Sequence, residues 1–233
     1  MTNLEKLTFI GHHGSPGTTA DFEEVQKLLP ASRWLCLERY QNPSRQPEGA
    51  VIHVGYSWGS VEAVKGALEN PSLTKAVVLI SPYLFVSKKM SPAIKTILSL
   101  PVLGNLLLSK MAPSSIAKMM VDSSYPSEVP SSYKPNEQVF SNPKVLKPAM
   151  FEKDIPTENI VRNLKELKNL PIPVLVIRGD SDKTSGDGDQ FKLLANHLDF
   201  EEVIIEGGGH ALPWTHTKGV TDEFQKLVDN LNW

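Results

Sequence analysis

The sequence has little of several features that mark particular classes of protein. Cys36 is the single cysteine among 233 residues, so no internal disulfide can form. Its place between Leu35 and Leu37 predicts a buried strand residue rather than a catalytic thiol. No apolar run approaches the ~18 residues of a membrane-spanning helix, and residues 1–6 lack the charged start and apolar stretch of a signal peptide. We therefore expect a soluble, cytoplasmic protein without a membrane partner.

An excess of one charge is also missing. The net charge is −2 and the isoelectric point is about 6.3, so no basic surface for nucleic acid is expected. Hydrophobic residues make up 40% of the chain, which at this length is enough for one well-buried core, alone or with an inserted subdomain. No repeat or low-complexity tract divides the chain, and no second independent domain is predicted.

The sequence does contain a serine between two closely spaced glycines. The string Gly55-Tyr56-Ser57-Trp58-Gly59 follows a short apolar run and precedes a helix-forming stretch. Strand, tight turn and helix are the setting in which the pattern G-x-S-x-G holds a nucleophilic serine. The N-terminus of the helix after such a turn favours negative charge on a reacting oxygen. The string therefore predicts Ser57 as a nucleophile beside an anion site.

A nucleophilic serine needs a general base and a third group that orients the base. Downstream, Gly179-Asp180-Ser181-Asp182 follows one predicted buried strand, and His210 follows the next. Loops at the carboxyl ends of parallel strands carry the functional residues of open α/β sheets. Serine, aspartate and histidine in this order along the chain predict a catalytic triad.

These residues and their order resemble the α/β-hydrolase superfamily, and within it the lidded esterases and carbon–carbon bond hydrolases. The loop 11–17 (GHHGSPG) is similar to the His-Gly-x-Pro-Gly loop of that superfamily. By this resemblance, the backbone N–H groups of Ser15 and Trp58 form the oxyanion hole. The resemblance also selects Asp182 as the acid, because the acid of relatives lies three residues after the glycine that ends the strand.

Some of these assignments have alternatives. Asp180 lies on the same loop as Asp182 and stays open as the triad acid. His216 is close enough to His210 in sequence to remain a second candidate for the base. His53, inside a strand, is better explained as a core residue.

Other ligand sites are disfavoured. The acidic run 180–189 lacks the glycine and the glutamate that a calcium-binding EF-hand loop needs at its sixth and twelfth positions. Loop 11–17 lacks the Gly-Lys-Ser/Thr of a P-loop and the G-x-G-x-x-G of a dinucleotide fold. His12 and His13 are expected to shape the oxyanion loop. We expect neither a metal nor a cofactor.

Alternating strands and helices predict an α/β fold with a mostly parallel, doubly wound sheet of about six strands. The predicted strands are Leu7–Ile10, Trp34–Leu37, Ala50–Val54, Ala76–Ile80, Pro173–Arg178 and Val203–Glu206. The sheet of the superfamily usually has eight strands, of which the first two form an antiparallel edge. There is no room for them before Leu7, so a sheet with trimmed N-terminal strands is expected.

Between about Ser81 and Leu170 the alternation stops. This stretch holds five of the six methionines, and its apolar residues have helical spacing in 94–98 and 116–120. Methionine side chains adapt to different apolar groups. We predict a hydrolase core of residues 1–81 and 170–233 with a helical lid, residues 82–169, inserted into it.

The connection 38–49 is polar, has two prolines and shows no helical period. The superfamily usually places a covering helix of several turns at this point. We therefore expect one face of the sheet near Ser57 to be less covered, which opens the site or exposes a surface for a homodimer.

The triad predicts that Ser57 attacks a carbonyl carbon while His210 takes its proton and Asp182 holds the imidazole. The first hypothesis is hydrolysis of a small carboxylic ester or thioester with an apolar acyl group, through an acyl-enzyme. Cleavage of a carbon–carbon bond next to a ketone, which relatives perform with the same triad, stays open. A hypothesis of a different class is a non-catalytic ligand-binding protein on this fold, and a weaker one is that the lysines and apolar residues of the lid attach the protein to membranes.

Overall fold

A six-stranded parallel sheet forms the centre of the computed structural model, which describes residues 3–38, 49–86, 91–133, 142–184 and 189–231. The strand order is β2-β1-β3-β4-β5-β6, and every neighbouring pair is parallel. The strands are β1 (Leu7–His12), β2 (Arg33–Leu37), β3 (Ala50–Tyr56), β4 (Thr74–Ile80), β5 (Val174–Gly179) and β6 (Glu201–Ile205). The predicted parallel sheet of six strands is confirmed.

Helices connect the strands and cover both faces of the sheet. They are α1 (Glu23–Leu28), α2 (Gly59–Glu69), α3 (Pro92–Ser99), α4 (Leu103–Ser124), α5 (Pro143–Phe151), α6 (Thr157–Lys168), α7 (Asp189–Ala195), α8 (Leu212–Thr215) and α9 (Thr217–Asn230). A 3-10 turn, Thr19–Phe22, precedes α1. Its N-cap residue, Thr18, accepts a hydrogen bond from the N–H of Ala20 at 3.2 Å, which satisfies one of the free donors at a helix start.

Side chains alternate along the strands into two hydrophobic cores, one on each face of the sheet. In β4, Val78 and Ile80 face the first core, whereas Val77 and Leu79 face the second. The first core is closed by α1 and α9, and the second by α2, α6 and α7. Because the central strands are buried on both faces, they consist of nearly continuous apolar runs, which is why the sequence predicts them well.

The edge strands are harder to predict. β6 begins at Glu201, two residues before the predicted start, and ends before Glu206. Glu201 and Glu202 are exposed, because β6 pairs with β5 on one side only. Their backbone groups belong to the sheet, but their charged side chains do not show the apolar pattern from which a strand is predicted.

The single cysteine lies in the other edge strand, β2. Cys36 packs against the first core and is partly exposed. Burial raises the pKa of its thiol to about 12, so little thiolate forms at neutral pH. This agrees with the prediction that Cys36 is not a catalytic nucleophile.

The segment between β4 and β5 is helical in its described parts. α3, α4 and α5 meet in a small cluster formed by Leu98, Leu108 and Leu146, whereas α6 packs on the second core. Whether residues 82–169 form one lid unit stays a prediction. Residues 39–48 lie outside the described residues. They make up most of the connection 38–49, for which we expected a less covered face of the sheet near Ser57.

The strand order places two loops side by side. From β1 the chain runs to β2 on one side and then returns to β3 on the other. At such a switch point the connections diverge and leave a crevice at the carboxyl edge of the sheet. The loop after β1, which contains Ser15, and the turn after β3, which contains Ser57, flank this crevice.

Candidate active site

Ser57 occupies a strained turn between β3 and α2. Its φ is 52°, a left-handed backbone conformation that is uncommon for a residue other than glycine. The N–H of Ser57 donates to the carbonyl of Ile80 at 2.9 Å, and its carbonyl accepts from the N–H groups of Ser60 at 3.1 Å and Tyr83 at 3.2 Å. Strain of this kind persists where the surroundings fix the backbone, as these three bonds do.

Two glycines let the elements around this turn approach closely. A Cβ at Gly55 would lie 2.5 Å from the Cα of Ser60, and a Cβ at Gly59 would collide with the backbone carbonyl of His12. The start of α2 therefore packs directly on the end of β3 and on the loop after β1. Glycine is needed at both positions for steric reasons.

Ser57, His210 and Asp182 form one hydrogen-bonded chain. His210 Nε2 lies 2.8 Å from Ser57 Oγ, and His210 Nδ1 lies 2.8 Å from Asp182 Oδ2. The second carboxylate oxygen of Asp182 accepts the N–H of Thr184 at 2.9 Å, and the Asp182 side chain is 1% exposed. A carboxylate at Nδ1 holds the proton there and leaves Nε2 free to accept the proton of the serine hydroxyl.

The alternative residues lie elsewhere. Asp180 is exposed, and its Oδ1 accepts a hydrogen bond from the Ser181 hydroxyl at 2.9 Å. His216 Nδ1 lies 2.9 Å from the hydroxyl of its neighbour, Thr215. The structure thus brings Asp182 and His210, but neither Asp180 nor His216, into hydrogen-bonding contact with the chain that ends at Ser57.

The loop that carries His210 is held from two sides. The carbonyl of Gly208 accepts the N–H of Ser181 at 3.0 Å, which ties this loop to the loop after β5. The carbonyl of Ser123, in the last turn of α4, accepts the N–H of Ala211 at 2.8 Å. The position of His210 therefore depends on α4 as well as on the sheet.

The loop after β1 is anchored on both sides of Ser15. The Gly14 N–H donates to Asp21 Oδ2 at 2.8 Å, and His13 Nδ1 lies 2.8 Å from the Gly14 carbonyl. The Lys153 ammonium donates to the Ser15 carbonyl at 3.0 Å. His13 thus bonds within this loop, whereas His12 Nε2 lies 3.0 Å from His53 Nδ1.

Ser15 and Trp58 remain predictions as oxyanion donors. Ser15 lines the same cavity as Ser57. Trp58 is the N-cap of α2, so its N–H lies where a helix leaves its backbone donors without intrahelical partners. Its side chain is fully buried in the second core, so only its backbone N–H is expected to act as an oxyanion donor.

A cavity of about 220 Å³ opens over Ser57 and His210. Its wall is partly apolar, with Met119 of α4 and Trp214 of α8, and partly polar. The other polar lining residues include Thr18, Asp21, Tyr56, Tyr83, Ser123, Tyr133, Lys153 and Thr184.

Two buried phenols border this cavity. Burial raises the pKa of Tyr133 to about 12 and raises the pKa of Tyr56 well above its usual value. Both hydroxyls are therefore neutral at physiological pH. The Tyr56 ring lies 5.6 Å from the His210 ring, and the Tyr133 ring stacks on Trp214 at 4.8 Å, so these rings form part of the walls around His210.

Sequence reasoning missed the residues that support the loop after β1. Asp21 lies in the first turn after the cap residue Thr18, where an acidic residue is common because it favours the helix start. No sequence pattern therefore indicates that Asp21 binds Gly14. Lys153 is 138 positions from Ser15. Only the path of the chain between β4 and β5 brings it there, and periodicity does not predict that path.

A serine, a histidine and an aspartate in one chain of hydrogen bonds, at the carboxyl edge of a doubly wound parallel sheet, are the features of the α/β-hydrolase class. The family model Hydrolase_4, described as serine aminopeptidase, S33, matches residues 8–214. The chain belongs to this family.

Several known proteins are similar to the chain. The monoglyceride lipase homolog of monkeypox virus is 25% identical over 224 residues, which are 94% of this chain and 73% of the viral protein. The structure of a lipase-esterase related protein from Clostridium acetobutylicum has a TM-score of 0.65 at 18% identity and covers 97% of this chain and 96% of that one. The bromoperoxidase of Bacillus anthracis has a TM-score of 0.70 at 19% identity, with coverage of 97% and 92%. The structural likeness confirms the fold, and the different names show that the fold alone does not define the reaction.

Proposed function

We propose that the protein is a serine hydrolase that cleaves a small carboxylic ester or thioester through an acyl-enzyme on Ser57. The observation that carries this proposal is the continuous chain from Ser57 through His210 to Asp182, with both hydrogen bonds at 2.8 Å. A serine hydroxyl is a weak nucleophile at neutral pH, and a general base at its oxygen makes it reactive.

The geometry supports a two-step acyl transfer. Ser57 Oγ attacks the carbonyl carbon while His210 Nε2 takes the hydroxyl proton, and Asp182 stabilises the imidazolium that forms. The N–H groups of Ser15 and Trp58 stabilise the oxyanion. His210 then gives its proton to the leaving oxygen or sulfur. Water, deprotonated by the same Nε2, releases the acid and restores Ser57.

Two observations favour a small ester. The relatives include a monoglyceride lipase homolog and a lipase-esterase related protein. The cavity of about 220 Å³ lies below the ~300 to 1,000 Å³ of pockets for drug-sized ligands. Met119 and Trp214 offer an apolar wall for an acyl group, whereas the polar groups of the same cavity suit the alcohol side.

The segment 82–169 has the position of a lid. α4 contributes Met119 and Ser123 to the cavity, and Lys153, which follows α5, lines it as well. Residues between β4 and β5 thus form the side of the cavity that the sheet does not supply. In this proposal their packing decides which acyl groups enter.

Labelling with a fluorophosphonate probe tests whether Ser57 is activated. We expect the folded protein to be labelled and Ser57→Ala to be inert, with Ser181→Ala, a nearby serine outside the triad, labelled like the parent. Equal labelling of Ser57→Ala would contradict the assignment. An inert but folded parent, checked by circular dichroism, would favour the ligand-binding alternative.

The bond that is cleaved is tested with substrates that share one acyl group. We expect turnover of a short-chain aryl ester and the matching thioester, and little turnover of an anilide or of a ketone that must lose a carbon–carbon bond. Faster cleavage of the anilide or the ketone would replace the ester proposal. In every case the activity should fall by about 10⁴-fold or more in Ser57→Ala.

A further inference from the structure

α3 and the start of α4 expose a continuous set of large apolar side chains. The α3–α4 apolar patch consists of Ile94, Ile97, Leu100, Val102, Leu103 and Leu106. Each is at least 43% exposed, and Val102 is 81% exposed. Large apolar surfaces of this kind mark interaction sites in soluble proteins.

The patch is one side of an amphipathic arrangement. Ile94 and Ile97 are three residues apart on α3, and Leu103 and Leu106 have the same spacing on α4, so each pair lies on one helix face. Other apolar residues of the two helices pack the segment, because Leu98 and Leu108 are buried against Leu146 of α5. The exposed residues are therefore additional to those that fold the segment.

The sequence of the segment that carries the patch has charge of mostly one sign, although Lys95 is paired with Asp154 and Lys118 with Asp122. Between Glu69 and Asp122 the sequence contains six lysines and no aspartate, glutamate or arginine, although acidic residues number 26 in the whole chain. The remainder of the chain then carries a net charge of −8. An apolar surface within a cationic segment complements an anionic lipid surface, to which lysines near the surface are attracted. An acidic partner without an apolar layer would use the lysines but not the patch.

The two helices have a geometry for lying along a surface. Among the described helices, none is by itself long and apolar enough to cross a membrane, and α3 together with the first turns of α4 (Leu103–Lys110) passes that test only as a pair bent by 103°. Pro101 and Gly104 lie in or beside the bend, and Gly104 packs on the Leu98 carbonyl. A bent pair presents the exposed residues of both helices and of the turn between them together.

The patch is also joined to the active-site cavity. α4 begins with patch residues Leu103 and Leu106, and its later turns provide Met119 and Ser123 to the cavity. A surface that holds the first turn of α4 therefore holds an element that borders Ser57.

We propose that the α3–α4 apolar patch docks the protein on anionic lipid surfaces. Patch side chains enter the interfacial layer, and Lys110 of α4 pairs with lipid phosphates. This inference goes beyond the proposed hydrolase activity and does not depend on it. It takes up the weaker sequence-based hypothesis that the lid attaches the protein to membranes.

Co-sedimentation with vesicles tests the docking. We expect wild type and Ser57→Ala to bind equally to vesicles of phosphatidylcholine with roughly 30% phosphatidylglycerol, and much less to phosphatidylcholine alone. Ile94→Glu should lower the partition coefficient by about tenfold. Ile204→Glu is the matched control, because Ile204 and Ile94 are both 50% exposed and Ile204 lies on edge strand β6. Equal effects of both changes, or no binding by wild type, overturn the proposal.

Charge and insertion are tested separately. Lys110→Glu should weaken binding to the anionic vesicles by at least about fivefold, and Lys165→Glu, on α6, should not. A tryptophan introduced as Val102→Trp should shift its emission to shorter wavelength when anionic vesicles are added. The absence of a shift would reject lipid docking. A concentration-dependent dimer in sedimentation velocity that Ile94→Glu abolishes would assign the patch to a second copy of the chain instead.

Discussion

At the scale of single residues, two aspartates on one loop have different positions. Asp182 Oδ2 is 2.8 Å from His210 Nδ1, whereas Asp180 is exposed and contacts Ser181. We expect Asp182→Asn to lower kcat by about 10⁴-fold, because the amide favours the wrong imidazole tautomer. Asp180→Asn should stay within about twofold of wild type. Steady-state kinetics on an ester substrate decide this, and a larger loss in Asp180→Asn would reverse the assignment.

Trp58 shows how one residue serves backbone and core separately. Its side chain is fully buried in the second core, and among the described residues no hydrogen-bond partner is found for its indole N–H. Trp58→Phe keeps the backbone donor and most of the packing, so we expect kcat within about tenfold of wild type. Trp58→Ala should lose about 3 to 5 kcal/mol of the free energy of unfolding through the cavity that it creates. Urea denaturation and kinetics on both variants separate these effects, and a loss of kcat in Trp58→Phe as large as in Ser57→Ala would mean that the indole itself takes part.

At the scale of elements, the end of α4 packs against the loop that carries His210. A Cβ at Gly209 would collide with the carbonyl of Tyr125 and lie 2.8 Å from that of Ser123. We expect Gly209→Ala to move this contact and lower kcat by about 10²-fold, since small misplacements of catalytic groups have effects of that size. Gly219→Ala, in α9, is the control. Its Cβ would meet only the side chain of Ile205, at a distance of 3.3 Å. Equal kcat in both variants would show that α4 does not position His210.

Sequence predicts elements where burial and local chemistry agree. The central strands and the turn at Ser57 are predicted because apolar runs and glycines are required at those positions. The first two residues of β6 are missed because an edge strand can hold Glu201 and Glu202 in its ladder. The contact of Lys153 with Ser15 is missed because it depends on the tertiary path of α5 and the turn that follows it. Local rules therefore predict the hydrogen-bonded residues Ser57, Asp182 and His210 better than the walls of the cavity above them.

At the scale of the whole molecule, the site lies where three independently packed parts meet. The loop after β1 rests on the first core through Phe22, α2 is anchored in the second core through Trp58, and α4 joins the His210 loop. The sheet thus fixes Ser57, while the segment between β4 and β5 contacts the loop that carries His210 and lines the cavity.

The stability of the whole molecule should depend on pH through a buried histidine pair. His53 is 2% exposed, and its Nδ1 lies 3.0 Å from His12 Nε2. Burial lowers the pKa of His53 from 6.5 to about 4. Between these values the unfolded chain binds a proton that the folded chain does not, so the free energy of unfolding falls as the pH falls from 6.5 towards 4, by up to about 3 kcal/mol. Above pH 6.5 this contribution is fully present.

Replacing the histidine isolates that contribution from other acid effects. We expect His53→Gln to have a shallower dependence of unfolding free energy on pH in this window, whatever its stability at neutral pH. His216→Gln, at a half-buried histidine outside the pair, should keep the slope of wild type. Urea denaturation at several pH values between 7 and 4 measures all three slopes. Because the pair lies between β1 and β3, directly before the loop and the turn that flank the crevice, unfolding and loss of the proposed ester hydrolysis should occur together on acidification. A slope in His53→Gln equal to that of wild type would show that the buried pair does not couple the fold to pH.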